Sequence, residues 1–282
     1  MIYLNGRFVP LEEATISVLD RGFIFGDGVY ELIPVYSRKP FRLNEHLARL
    51  QRSLDAIRLP NPHSEAEWHG LIDQIIGLQA FDDQSVYMHI TRGVAKRDHA
   101  FPAAGTPPTV MMMANPLVTP TSAQIETGVA AVTAVDNRWL RCDIKGISLL
   151  PNVLLRQLAV DAGAAETILL RGGFMIEGAA SNIFVVKDEV IYAPPKNNLM
   201  LPGITYDVVL ELAAQNGVQS HIGAVPERLL RHADEIWQTS STREVLAVTT
   251  LDGEPVGDGR PGLLGQRMLE WYQAYKLSVM RA

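Results

Sequence analysis

Lysine is scarce in this 282-residue chain, and one of its six lysines stands apart. Lys39, Lys96, Lys187, Lys196 and Lys276 sit in turns, polar loops or the C-terminal stretch, whereas Lys145 follows Ile144 and precedes Ile147, Leu149 and Leu150. An ammonium in apolar surroundings loses hydration, its pKa falls, and the free amine becomes nucleophilic. That is what Schiff-base chemistry with a carbonyl requires. A strand-end lysine whose head reaches back to solvent would show the same pattern. Three other places offer an anion site. Gly203-Ile204-Thr205 opens a helix, so unpaired N–H groups and the positive dipole end are available there. Thr239-Ser240-Ser241-Thr242 ends a strand and supplies hydroxyls, and Arg49 supplies a full charge. Arg97 and His99 put two basic side chains in one loop, suited to a carboxylate or simply to solvent.

Other chemistries lack their residues. Gly26-Asp27-Gly28 begins like a dinucleotide fingerprint, but Glu31 stands where the third glycine belongs and no helix pattern follows. There is no phosphate loop ending in Gly-Lys-Ser/Thr, no Gly-x-Ser-x-Gly elbow and no zinc-type histidine pair, so no metal is expected. A net charge of -6 disfavours nucleic acid. The single cysteine, Cys142, and the lack of a basic-then-apolar leader or a membrane-length apolar run make a cytoplasmic enzyme the expectation.

The elements that must position these groups are mixed. Asn5-Gly6 predicts a hairpin between Ile2–Leu4 and Phe8–Val9, and a second hairpin is expected between residues 29–36 and 41–43 around Ser37-Arg38-Lys39-Pro40. Leu47, Leu50, Leu54 and Ile57 predict a helix from about Asn44, and Ser64 with Glu67 predicts a capping box on the next. Strands follow near 86–91 and 110–114. Residues 115–121, with Pro116 and Pro120, read as the connection between a domain over 1–114 and one over 122–282 that carries Lys145. In the second part, strands are expected at 129–135, 167–171 and 174–177 around Gly172-Gly173, and 183–186 and 190–192 around Lys187-Asp188. Helices are expected at 151–162, 204–215 and within 263–277. Strands and helices mix without regular βαβ alternation, which favours an α+β arrangement over a doubly wound sheet.

Several segments, in order along nearly the whole chain, resemble those of D-amino-acid transaminases. They are Asp20-Arg21-Gly22, Phe25-Gly26-Asp27-Gly28-Val29-Tyr30-Glu31, Asn44-Glu45-His46-Leu47-Ala48-Arg49-Leu50, Arg138-Trp139-Leu140-Arg141-Cys142-Asp143-Ile144-Lys145 and Glu177-Gly178-Ala179-Ala180-Ser181-Asn182. These transaminases are fold-type IV pyridoxal-phosphate enzymes, grouped with branched-chain aminotransferases and aminodeoxychorismate lyases.

The resemblance implies a two-domain α+β architecture, with a smaller N-terminal α/β domain and a larger mixed, barrel-like C-terminal domain. It implies pyridoxal 5'-phosphate bound covalently by Lys145, with Glu177 at the ring nitrogen and Arg49, Ile204, Thr205, Ser240 and Ser241 around the phosphate. Tyr30, Arg97 and His99 would bind the substrate α-carboxylate, the last two from the partner of a homodimer. Glu31 and Arg138 are either tuning neighbours of the cofactor or structural ion pairs. Asp98 and Pro202 depart from the family pattern. The implied reaction moves the amino group of a D-amino acid such as D-alanine to a 2-oxo acid such as 2-oxoglutarate in two half-reactions. Branched-chain L-amino acids, (R)-amines or aminodeoxychorismate lyase action are the alternatives within the fold, and a non-enzymatic cofactor binder is the alternative outside it.

Overall fold

A computed structural model describes residues 1–280. The chain divides into two compact units, Met1–Leu117 with Ile144–Leu149, and Val118–Asp143 with Leu150–Ala282. The expected connection at 115–121 spans the first crossing. Lys145, expected with the second part, packs with the first unit.

The first unit is built on a six-stranded sheet. Its strands run in the order Arg7–Val9, Ile2–Leu4, Thr109–Pro116, Gln84–Thr91, Gly28–Tyr36 and Lys39–Pro40, every pair antiparallel. The Asn5-Gly6 hairpin forms as expected, with both residues at positive φ. In the second hairpin the turn is Ser37-Arg38, both at positive φ, and Lys39–Pro40 is already strand. Residues 41–43 add no strand; the helix Leu43–Ala56 begins there instead. Ser64 and Glu67 form the reciprocal capping box of the helix Glu65–Gly77. Both helices pack on one sheet face, where Val29, Ile33 and Val35 meet Leu47, Leu50, Leu54, Ile72 and Ile75. Strand alternation places Glu31 on this same buried face.

Residues 144–149 lie along the open edge of the Gly28–Tyr36 strand. Lys39–Pro40 pairs only with Val35 and Tyr36, so the backbone near residues 28–30 needs other partners. Tyr30 N donates to Lys145 O at 2.9 Å, Ile147 N donates to Gly28 O at 3.1 Å, and Gly146 bridges Val29. Gly28 has no room for a side chain, since a Cβ would sit 2.4 Å from Ile90 O.

The second unit holds a ten-stranded mixed sheet in the order Ser220–Ile222, Val190–Ala193, Asn182–Lys187, Glu235–Ser240, Glu244–Leu251, Val129–Val135, Glu166–Arg171, Phe174–Gly178 and Val225–Pro226, with Glu254–Pro255 beside Glu244–Leu251. One core takes Val185 and Ile183 from near one end of this order and Met175 and Val225 from the other. Only a sheet curled on itself brings these together, as the barrel-like expectation required. The parallel strands Val129–Val135 and Glu166–Arg171 are joined by a connection that includes the helix Leu150–Asp161. On the opposite face Phe184 stacks on Tyr206 of the helix Ile204–Gln215, with ring centroids 4.9 Å apart. The hairpin turn expected at Lys187-Asp188 lies one residue later, at Asp188-Glu189. The final helix, Leu263–Met280, also shelters Lys276, which is not a solvated tail residue but a buried partner of Glu244.

Candidate active site

In the first unit, the lysine segment brings Lys145 beside Tyr30. Lys145 is half-buried, its Nζ lies 4.2 Å from the Tyr30 ring centroid, and its backbone N donates to Ser53 Oγ at 3.2 Å. The amine is therefore anchored through its main chain while its head stays reachable.

Behind this position, Glu31 occupies a register position that would ordinarily hold an aliphatic side chain. Arg49 answers it with a two-pronged ion pair: Nε and Nη2 donate to the two carboxylate oxygens at 2.7 Å each. His46, one helical turn before Arg49, shares Glu31 Oε2 through Nδ1 at 2.9 Å. Burial alone would push Glu31 up, but the charge and hydrogen bonds of Arg49, with His46, outweigh it and hold the carboxyl well below the usual range. Burial also pushes His46 below its ordinary value against the pull of Glu31. A neutral His46 donates from Nδ1, which leaves Nε2 as a buried acceptor with no partner among the described residues. His46 carried no signal of its own in the sequence beyond its i,i+3 spacing to Arg49.

The Arg97–His99 loop is fixed at its base. Arg21 and Arg92 both donate Nε to Asp27 Oδ2 at 2.8 Å. Arg21 Nη1 also donates to Asp98 O at 2.6 Å and Ala100 O at 3.2 Å. Asp98, the departure from the family pattern, turns its carboxylate onto Ala100 N at 3.1 Å. Its charge thus serves the turn locally. Arg97 and His99 are exposed, both against Phe25, at 5.5 Å from guanidinium to ring centroid and 5.3 Å between rings. The rings of Tyr30 and Tyr87 tilt against each other at 5.8 Å, and burial pushes the Tyr87 hydroxyl up to about 12.

The candidates of the second unit gather around Asn182. Its Nδ2 donates to Glu177 Oε2 at 3.2 Å and to Leu201 O at 3.0 Å. Asn182 also pairs with Thr239, one residue before Ser240. Gly203, which caps the Ile204–Gln215 helix without any side-chain bond, leaves no space for a Cβ: one would fall 2.1 Å from Asn182 Oδ1. Ile204 and Thr205 are buried in the first turn. Ser240 Oγ accepts from Arg243 N at 3.1 Å, and Ser241 follows in the turn.

Glu177 is buried with three donors: Arg138 Nη1 at 2.7 Å, Leu201 N at 3.1 Å and Asn182. Burial dominates, and the carboxyl is pushed up to about 7 despite Arg138. Arg138 is itself gripped by Asp136, with Nε to Oδ1 at 2.9 Å and Nη2 to Oδ2 at 3.1 Å. Glu31 and Arg138 thus both stand in buried ion pairs. Asp136 and Arg171 were absent from the sequence reading, because their pairing depends on strands meeting far apart in the chain.

The model of the family described as amino-transferase class IV matches residues 28–251. The D-alanine aminotransferase of Bacillus licheniformis is 42% identical over 263 residues, covering 93% of this chain and 92% of that protein. That of Staphylococcus aureus (strain MW2) is 40% identical over 97% of each. Among solved structures, the branched-chain amino acid aminotransferase from Escherichia coli superposes with a TM-score of 0.89 at 29% identity, covering 98% of this chain and 93% of that one. The branched-chain amino acid aminotransferase of T.th., complexed with N-(5'-phosphopyridoxyl)-L-glutamate, gives 0.87 at 30% identity, covering 96% and 92%. The chain belongs to the amino-transferase class IV family, whose members are pyridoxal-phosphate-dependent enzymes.

Proposed function

We propose that this aminotransferase acts on D-amino acids, taking the amino group from a donor such as D-alanine and passing it to a 2-oxo acid such as 2-oxoglutarate. The observation that carries this reading is the identity of about 40%, over nearly the whole chain, to relatives named D-alanine aminotransferase. Arg97 and His99, in a loop braced by Arg21, add the basic pair suited to an α-carboxylate. That pair favours an amino acid over an (R)-amine, which offers no carboxylate to bind.

The donor set fits pyridoxal phosphate. It offers one reachable primary amine, a buried carboxylate, a helix start without a side-chain cap and the unpartnered acceptor of His46. Lys145 is the residue to bind the cofactor covalently through Nζ. Glu177 is the anion for the ring nitrogen, and Arg49, Ile204, Thr205, Ser240 and Ser241 hold the phosphate. Two of the guanidinium nitrogens of Arg49 are engaged by Glu31, so its share in phosphate binding rests on its charge. When bound, the cofactor supplies a ring that absorbs the electron pair left at the substrate Cα. With its amine free, Lys145 would be the general base and acid that takes the proton from the substrate Cα and hands it on. Tyr30, Arg97 and His99 fix the α-carboxylate and so decide which enantiomer presents its hydrogen to Lys145.

The exposure of Arg97 argues for a homodimer. An exposed ion pair contributes at most about 1 kcal/mol, too little to select a substrate, so a second chain is needed to cover the clamp. The enzyme is assigned to the cytoplasm on its single cysteine; no helix among the described residues is long and apolar enough to cross a membrane. The test is a substrate panel on purified holoenzyme: D-alanine, D-glutamate, L-leucine, (R)-phenylethylamine and aminodeoxychorismate. Turnover of the D-amino acids far above the rest is expected. Preference for L-leucine or the amine would overturn the reading. Borohydride should fix the cofactor to Lys145, and an adduct on another lysine would remove that assignment.

A further inference from the structure

Four charged side chains of the second unit form a row of alternating sign: Arg171, Asp136, Arg138 and Glu177. Arg171 Nε donates to Asp136 Oδ2 at 3.3 Å and its Nη2 donates to Arg138 O at 2.9 Å. Asp136 grips Arg138 through both oxygens and also accepts from the Arg138 backbone N at 3.1 Å. Arg138 Nη1 reaches Glu177 Oε1 at 2.7 Å. The Arg171 side chain keeps 24% of its surface, while those of Arg138 and Glu177 keep 5% and that of Asp136 none. The row therefore runs from the surface inward and ends on Glu177.

We propose that Arg138 is a positioning residue that holds Glu177 as an anion, and that Asp136, by sharing the Arg138 charge, sets how strongly it does so. The proposal rests on the reading of Glu177 as the partner of the cofactor ring nitrogen. A carboxylate stripped of water takes up a proton unless a cation faces it. Of the three donors on Glu177, only Arg138 is charged; Leu201 N and Asn182 Nδ2 are neutral. A guanidinium divided between two carboxylates attracts each less than it would attract one alone. Burial raises the Glu177 carboxyl to about 7 against the pull of Arg138, and the Asp136 charge adds to the rise. Arg138 is held firmly cationic by its two anions. The remaining titratable neighbour, Cys142, is pushed up to about 11 by burial and stays an uncharged thiol. Glu177 thus sits where it can either keep its charge or lose it, and the strength of its pairing with Arg138 decides.

The test uses holoenzyme loaded with cofactor labelled with 15N at the ring nitrogen, titrated by NMR from pH 6 to 9. Wild type and Arg138→Lys should give the shift of a protonated ring nitrogen over most of this range, the lysine variant losing it at lower pH because it lacks the fork. Arg138→Met should give the shift of an unprotonated nitrogen throughout. Asp136→Asn should move the titration of the Glu177 carboxyl band, read by infrared difference against Glu177→Gln, to lower pH by one unit or more. Should Arg138→Met not fold, Arg138→Lys and Asp136→Asn decide the matter. If Glu177→Gln alters the ring-nitrogen shift while Arg138→Met, or Arg138→Lys with Asp136→Asn, leaves it and the carboxyl titration at wild-type values, the role of Arg138 is refuted. If Glu177→Gln itself leaves the shift unchanged, the reading of Glu177 is what fails.

Discussion

Two buried glutamates answer burial in opposite ways. Glu31 receives two prongs from Arg49 and a bond from His46, so it stays ionised far below neutrality. At Glu177 burial outweighs a cation shared with Asp136, and the carboxyl rises to about 7. The two should tilt stability with pH in opposite directions. A raised carboxyl contributes stability below its unfolded value, near 4.5, and that contribution is lost as pH climbs through the folded value. In apoprotein, Glu177→Gln should therefore flatten the fall in stability between about pH 4.5 and 7, an effect of up to about 3 kcal/mol. A lowered carboxyl does the reverse: the Glu31 contribution is full above the ordinary carboxylate range and drains away on acidification. Glu31→Gln leaves Arg49 buried opposite a neutral amide and should cost about 3–5 kcal/mol at pH 7. Urea midpoints across pH measure both, and equal slopes in wild type and Glu177→Gln would contradict the first.

At the scale of elements, what could be read from the chain depended on whether the signal was local. The helices over Leu43–Ala56, Glu65–Gly77 and Ile204–Gln215 follow from apolar spacing within a few residues, and the second also from its capping box. Turns without glycine shifted by a residue or two, because Ser37-Arg38 and Asp188-Glu189 adopt positive φ with no residue that favours it. Lys145 and Glu177 were singled out through their surrounding segments, and their roles stand as proposals. Asp136, Arg171 and His46 were not: an ion pair such as Arg138 with Glu177 joins residues 39 apart, and nothing in either segment announces the other. Lys276 gave no sign of its partner: the last helix, expected there, carries it onto strand Glu244–Leu251, where it pairs with the buried Glu244. Lys276→Met should destabilise the second unit by about 3 kcal/mol or more by leaving that carboxylate without its cation. The double variant Lys276→Met, Glu244→Gln should recover much of the loss. A denaturation midpoint unchanged in the single variant would remove this pair from the account.

At the scale of the whole molecule, the proposed substrate clamp lies in an exposed loop. Arg97 and His99 lean on Phe25 at the surface of their own unit, held there by Arg21. If a second chain supplies this pair, Lys145→Ala chains, inactive alone, and Arg97→Ala chains, slowed alone, should gain activity when mixed and allowed to exchange. One heterodimer would then hold one intact site, whereas no gain after demonstrated exchange would place clamp and lysine on the same chain. The stereochemical claim has a more direct measure. In a single half-reaction without acceptor, the visible band of the wild-type holoenzyme is followed after mixing with D-alanine or with L-alanine at equal concentration. The band should convert rapidly with D-alanine and at least a hundredfold more slowly with L-alanine. Arg97→Ala should keep the starting band and slow the D-alanine conversion, since truncating a charged partner that the proposed second chain buries costs about 2–5 kcal/mol. Conversion by L-alanine as fast as by D-alanine would contradict the account.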